Sequence, residues 1–121
     1  MLDNTPDTGA RRATDLLDED TLHCTACGAD ITRTRWAIRR NQEHEHTVFN
    51  PAGQVFTILC FKEAPGVSAV GEPSGEFTWF KGFDWQIVLC RGCNAHLGWQ
   101  YIGEDIFFGL IKPKLTLKRD D

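Results

Sequence analysis

The chain has 121 residues, enough for one domain with a modest core, and a formal net charge of −4 from 17 acidic and 13 basic side chains. That balance argues against a nucleic-acid surface, which needs a basic stripe. No apolar run approaches the ~20 residues of a membrane-spanning helix, so neither nucleic acid nor membrane is an expected partner.

Residues 1–21 are polar and rich in Thr and Asp, and they read as a flexible arm in which Thr14 to Asp20 could form one helical turn. The opening Met1-Leu-Asp-Asn-Thr-Pro6 has no basic region followed by an apolar one, so no signal peptide is expected and the reading is cytoplasmic. In that reducing compartment cysteines serve more often as metal ligands or catalytic groups than as disulfides. The basic groups Arg33, Arg35, Arg39 and Arg40 read as solvated strand faces, and Lys112, Lys114, Lys118 and Arg119 as a soluble tail. Glu43-His-Glu-His46 reads as exposed polar sequence ahead of a strand, with a second metal site as the alternative. Asn50-Pro-Ala-Gly53 has the residue order of a type I turn. Val55 to Phe61 then forms a β-branched and aromatic run. Ala64-Pro-Gly66 and Gly71-Glu-Pro-Ser-Gly75 read as breaks. Trp85 to Leu89, His96 to Ile102 and Ile106 to Ile111 read as further strands, and 118–121 as a free end. With no long helical periodicity, the expected fold is mainly β, two small antiparallel sheets.

The cysteines give the sharpest signal. Cys24-Thr-Ala-Cys-Gly-Ala-Asp-Ile31 and Cys90-Arg-Gly-Cys-Asn-Ala-His-Leu97 repeat a Cys-x-x-Cys followed by Ala and an aliphatic residue. Zinc takes four soft ligands at the corners of a tetrahedron, and each such pair supplies two of them. The residue after each second cysteine is Gly28 or Asn94, the types that best tolerate a left-handed backbone. Cys24, Cys27, Cys90 and Cys93 are therefore expected to hold one structural Zn2+. Cys60 lies within an apolar run and reads as a buried small hydrophobe. His23 and His96 flank the pairs and are candidates to support the ligands.

Trp79, Trp85, Trp99 and Tyr101 crowd around the second pair. Trp99 and Tyr101, two apart on a strand, share a face. Such a group either fills a core, the commoner fate of aromatics, or walls a small pocket. A cage of this kind could take a quaternary ammonium by cation–π attraction or a flat neutral ring by stacking and backbone hydrogen bonds.

Taken in order, Cys24-x-x-Cys-Gly28, Val48-Phe-Asn-Pro-Ala-Gly53, Ser74-Gly-Glu-Phe-Thr-Trp-Phe-Lys-Gly-Phe-Asp-Trp85, Cys90-x-x-Cys93, His96-Leu-Gly-Trp-Gln-Tyr101 and Phe107-Phe-Gly-Leu-Ile111 resemble the CULT domain. This is the thalidomide-binding domain of cereblon, also found alone in bacterial proteins. The resemblance implies a β-tent of two antiparallel sheets pinned by a four-cysteine zinc site, spanning 22–117. It implies binding of cyclic imides, such as glutarimide or related uracil-like rings, in a cage of Trp79, Trp85 and Trp99 floored by Tyr101. In that picture backbone groups of Phe77 and Trp79 hold the imide, and Asn50 and Pro51 line the edge. Cereblon has Phe in place of Tyr101 and His in place of Phe77. The chain has no room for cereblon's additional domain or its adaptor-docking helices, so no ubiquitin-ligase adaptor is expected as a partner.

Two other functions compete. B-type methionine sulfoxide reductases resemble the chain at Cys90-x-x-Cys-x-Ala-His-Leu-Gly98, but they use a nucleophilic cysteine near the C-terminus, and here no cysteine follows Cys93. The expectation is a non-enzyme. An interaction module reading a modified chain end or a methylated ammonium would use the same cage.

Overall fold

The computed structural model describes residues 20–117. Most of the arm assigned to 1–21 and the end at 118–121 lie outside the described residues, as does the suggested helical turn except for Asp20. Asp20 accepts hydrogen bonds from the Arg35 backbone N–H at 3.1 Å and from its Nε at 2.8 Å. Thr21 opens the first strand and is buried, so both residues belong to the folded body.

Nine strands follow in chain order: β1 (Thr21–Cys24), β2 (Asp30–Arg33), β3 (Glu45–Phe49), β4 (Val55–Phe61), β5 (Val67–Ser74), β6 (Asp84–Cys90), β7 (His96–Ile102), β8 (Ile106–Ile111) and β9 (Leu115–Thr116). Two short 3-10 turns, Thr34–Trp36 and Lys112–Lys114, complete the described elements. The strands form two antiparallel sheets of unequal size, a three-stranded one ordered β2-β1-β9 and a six-stranded one ordered β3-β4-β8-β7-β6-β5.

Period-two patterning sorts the large sheet's side chains into two cores. Ile58 and Cys60 of β4, Phe107 and Ile111 of β8, and Trp99 and Tyr101 of β7 join one cluster with Phe80. Phe61, Leu110, Val88 and Cys90 face the other way and pack with Leu22, Cys24 and Ile31 of the small sheet.

One strand breaks its own alternation. Leu97 packs with the second group although Trp99, two residues on, belongs to the first. The β6–β7 register explains it: Val88 faces Gly98 while Leu89 faces His96, leaving Leu97 as an extra residue in a bulge. Gly98 completes the turn of the chain with φ +149°, and a side chain there would meet the Gly109 carbonyl oxygen at 2.1 Å. The bulge thus lets one strand feed both cores.

The strands expected at 55–61, 96–102 and 106–111 form over those residues, and the one expected at 85–89 extends by a residue at each end. The break expected at 71–75 is instead mostly strand. β5 runs through Gly71, Glu72 and Pro73 as an edge strand, with a register irregularity between Val70 and Ser74 that accommodates Gly71 at φ +76°. Pro73 is tolerated there because it falls in the unpaired stretch of an edge strand, between Val70 and Ser74, where no ladder donor is lost. The loop that delivers Trp79 is therefore 75–83.

Candidate functional site

The two Cys-x-x-Cys segments fold as near copies. In the first, the Cys24 N–H donates to Ala29 O at 2.9 Å and the Gly28 N–H to Cys24 O at 2.8 Å. In the second, the Cys90 N–H donates to Ala95 O at 2.8 Å and the Asn94 N–H to Cys90 O at 2.8 Å. Gly28 (φ +80°) and Asn94 (φ +66°) both take the left-handed backbone their residue types favour. The first knuckle joins β1 to β2 and the second joins β6 to β7, so the two sheets each bring one pair. The four Sγ atoms lie within 4.8 Å of one another and form the only group of three or more candidate ligands among the described residues. Cys24 and Cys93 Sγ are 3.8 Å apart and Cys27 and Cys90 Sγ 3.6 Å apart, too far for disulfides. The Gly92 N–H donates to Cys90 Sγ at 3.3 Å, a bond suited to a sulfur bearing negative charge. These four thiols can hold a metal ion.

No histidine joins the cysteine group among the described residues. His23 Nδ1 lies 3.1 Å from Asp30 Oδ1 across the small sheet. His44 and His46 each have a ring nitrogen against a backbone carbonyl, Ile38 O and Glu43 O respectively, at 3.0 Å. Their rings pack edge-on against Phe61 and Phe80. They are wall pieces of the sheet, not a second metal site.

A cavity of about 380 Å³ opens on the other side of the large sheet, at the small end of the ~300–1,000 Å³ typical of ligand sites. Trp79, Trp85 and Trp99 all line it, with Phe77, Asn50 and Pro51 at its edge. Trp99 is held from three sides: the rings of Trp79, Phe56 and His96 meet it edge-on at 4.9, 5.2 and 4.9 Å. The other two indoles are fixed through their N–H groups. Trp79 Nε1 donates to Phe49 O at 2.9 Å and Trp85 Nε1 to Glu76 O at 2.6 Å. These bonds commit both donors to the wall and turn ring faces and edges toward the space. Asn50 and Gln54 lock the hairpin at the rim, with Asn50 Nδ2 donating to Gln54 Oε1 and the Gln54 N–H to Asn50 Oδ1, both at 2.9 Å.

Phe77 sits at φ +57° and is 73 % exposed, a non-glycine residue in strained backbone carrying an uncovered ring. Neither Phe77 nor Trp79 uses its backbone N–H or C=O in a hydrogen bond among the described residues. An apolar, shaped cavity thus has unspent main-chain donors and acceptors on one wall.

Tyr101 lies outside the lining. It shares the face of Trp99 as expected, but Phe107 stacks on it at 4.9 Å and Phe80 meets it edge-on at 4.8 Å, leaving it fully buried. Periodicity sets which face a residue takes and not whether another segment covers it. Phe56, Ile87, Gln54, Glu76 and His96 complete the lining. Of these, Ile87 was within reach of sequence reasoning, since it stands two residues from Trp85 in β6 and so shares its face. His96 Nε2 donates to Gly98 O at 3.1 Å, and burial lowers its pKa from 6.5, so the imidazole is neutral at pH 7. Cys60 is fully buried, and burial raises its thiol pKa to about 12.

No family model matches the chain. Among curated proteins it is 40 % identical over 72 residues to protein cereblon of Xenopus tropicalis, covering 54 % of this chain and 16 % of that protein. It is 31 % identical over 108 residues to protein cereblon of Drosophila willistoni, covering 85 % of this chain and 16 % of the relative. With protein cereblon of Drosophila virilis the figures are 29 % over 113 residues, 86 % and 18 %. The chain spans less than a fifth of the length of these relatives.

Proposed function

This chain is a cereblon-like domain, and from that premise we propose that it binds small cyclic imides or related uracil-like rings in the tri-tryptophan cavity. The observation that carries the reading is the pairing of three indole walls with unspent backbone groups at Phe77 and Trp79. An imide presents one N–H donor between two carbonyl acceptors, and aromatic walls that exclude water make those few hydrogen bonds count. The backbone supplies the polar contacts, so His or Phe at position 77 serves equally.

The metal is zinc in this proposal. Zn–S bonds of ~2.3 Å in a tetrahedron put neighbouring sulfurs about 3.8 Å apart. The 3.6 and 3.8 Å separations fit that spacing, and four thiolates are a zinc donor set. Among the described residues no helix is long and apolar enough to cross a membrane. A reducing cytoplasm would keep the thiols available. The domain acts by binding and not by catalysis: Cys60, the one cysteine outside the cluster, is enclosed and held as the thiol. Action without a ubiquitin-ligase adaptor is part of the same proposal.

A second reading, capture of a methylated ammonium, is favoured by Glu76 in the lining. One titration separates the two. Tryptophan fluorescence is followed as glutarimide, uracil and a trimethylammonium compound are added to the metal-loaded protein. The imide is expected to bind best, and Trp99→Ala to lose that binding. Preference for the ammonium would replace the first reading with the second.

A further inference from the structure

We propose that Glu76 makes the cavity a charge filter, so that the preferred cyclic imide carries a positive charge beside the ring and anionic derivatives are turned away. The inference rests on the imide reading above and adds the charge of the substituent. Glu76 is the only acidic or basic side chain among the described lining residues apart from His96, which is neutral at pH 7. The carboxylate makes no ion pair and no hydrogen bond among the described residues, whereas Asp20, Glu45 and Asp105 pair with Arg35, Lys112 and Arg40.

Its place at the wall is fixed by main-chain bonds. The Glu76 carbonyl accepts the Trp85 indole N–H at 2.6 Å, and its N–H donates to Ser74 Oγ at 3.1 Å. The carboxylate is thus tethered within one side-chain length of a cage wall. A cation on the ligand finds an unpaired negative charge there and the electron-rich ring faces of the indoles. An anion meets like charge, and the Trp79 and Trp85 indole donors that could have served it are committed to backbone carbonyls. The whole chain's net charge of −4 acts in the same direction.

The test uses three glutarimides with the same ring and one changed substituent at the carbon next to a carbonyl: an ammonium, a neutral acetamido group and a carboxylate. Calorimetric titration of the metal-loaded protein at low salt is expected to rank them in that order. Successive steps of about fivefold correspond to the upper end for exposed charge pairs. Glu76→Gln should bring ammonium and carboxylate to within about twofold of each other. Raising salt to about 1 M, where screening acts over ~3 Å, should compress the wild-type order in the same way. A carboxylate that binds the wild type as well as the ammonium, or an order that survives Glu76→Gln, overturns the filter while leaving imide binding standing. If none of the three rings binds, the imide reading itself falls and the filter with it.

Discussion

At the scale of single residues, Tyr101 is an unpaid cost in the core. It is fully buried, and its hydroxyl has no hydrogen-bond partner among the described residues. An unbonded buried hydroxyl costs about 1–3 kcal/mol. Tyr101→Phe keeps the stack on Phe107 and removes the orphan oxygen. Urea unfolding is expected to show stability unchanged or raised by about 1 kcal/mol, with imide affinity retained because the ring does not line the cavity. A clear loss of stability would mean that the hydroxyl is bonded. Cys60 supplies a second residue-scale prediction. With its pKa at about 12, the thiolate is scarce at pH 8 and the sulfur is also enclosed. Iodoacetamide should label Cys60 only after denaturation, and a methionine-sulfoxide assay is expected to show no turnover in either the parent chain or Cys60→Ser. Rapid native labelling, or turnover that depends on Cys60, would reopen the reductase reading. The four clustered cysteines and the three cavity-lining tryptophans were legible because spacing and motif order identify them. His96 was not identified as lining, because its role depends on how a bulge directs it.

At the scale of elements, the β6–β7 hairpin joins both halves of the site. It holds Cys90 and Cys93 at its turn and Trp85 and Trp99 along its strands. The Leu97 bulge is what turns Trp99 toward the cavity. Gly98→Ala should therefore act on geometry as well as on stability. A Cβ at Gly98 would fall 2.1 Å from Gly109 O and 2.9 Å from Leu110 Cα, both backbone atoms that cannot swing aside. The expected cost is on the order of 3 kcal/mol, read as a fall in the urea midpoint. Imide affinity should fall in whatever fraction remains folded. A neutral effect would show that the β7–β8 ladder can shift without penalty. The interior strands at 55–61, 96–102 and 106–111 were legible because burial on both faces selects apolar, β-branched residues. The edge strands were not. β3 alternates exposed and half-buried residues and looks polar, and β5 contains Gly71 and Pro73, which mimic a turn. Edges face water and tolerate the residues that punctuate loops elsewhere.

At the scale of the whole molecule, the four-cysteine cluster joins the two sheets, and loss of the metal proposed for it should reach the cavity without touching it. Cys24 and Cys27 belong to the small sheet's knuckle, while Cys90 and Cys93 belong to the large sheet's. The other inter-sheet ties include one apolar cluster, the Thr32 hydroxyl donating to Glu63 O at 2.6 Å, and the close approach of Gly66 to β2, where the Gly66 N–H donates to Ile31 O at 3.0 Å. Structural zinc in small peptides contributes on the order of 10 kcal/mol, comparable to the whole stability of a domain this size. Chelation is therefore expected to unfold the protein and not merely loosen it. Native mass spectrometry should show one zinc per folded chain, and removing it with a strong chelator should abolish the thermal transition. Cys90→Ser should reproduce that loss. Tryptophan fluorescence should lose its response to glutarimide over the same range of chelator, although no cysteine lines the cavity. The coupling runs through the hairpin: without metal the Cys90–Cys93 turn no longer fixes the register that sets Ile87 opposite Trp99. Restoring zinc should recover the thermal transition and the ligand response together. A metal-free chain that keeps both its cooperative transition and its imide binding would show that the two apolar cores suffice, and the four cysteines would then need another explanation.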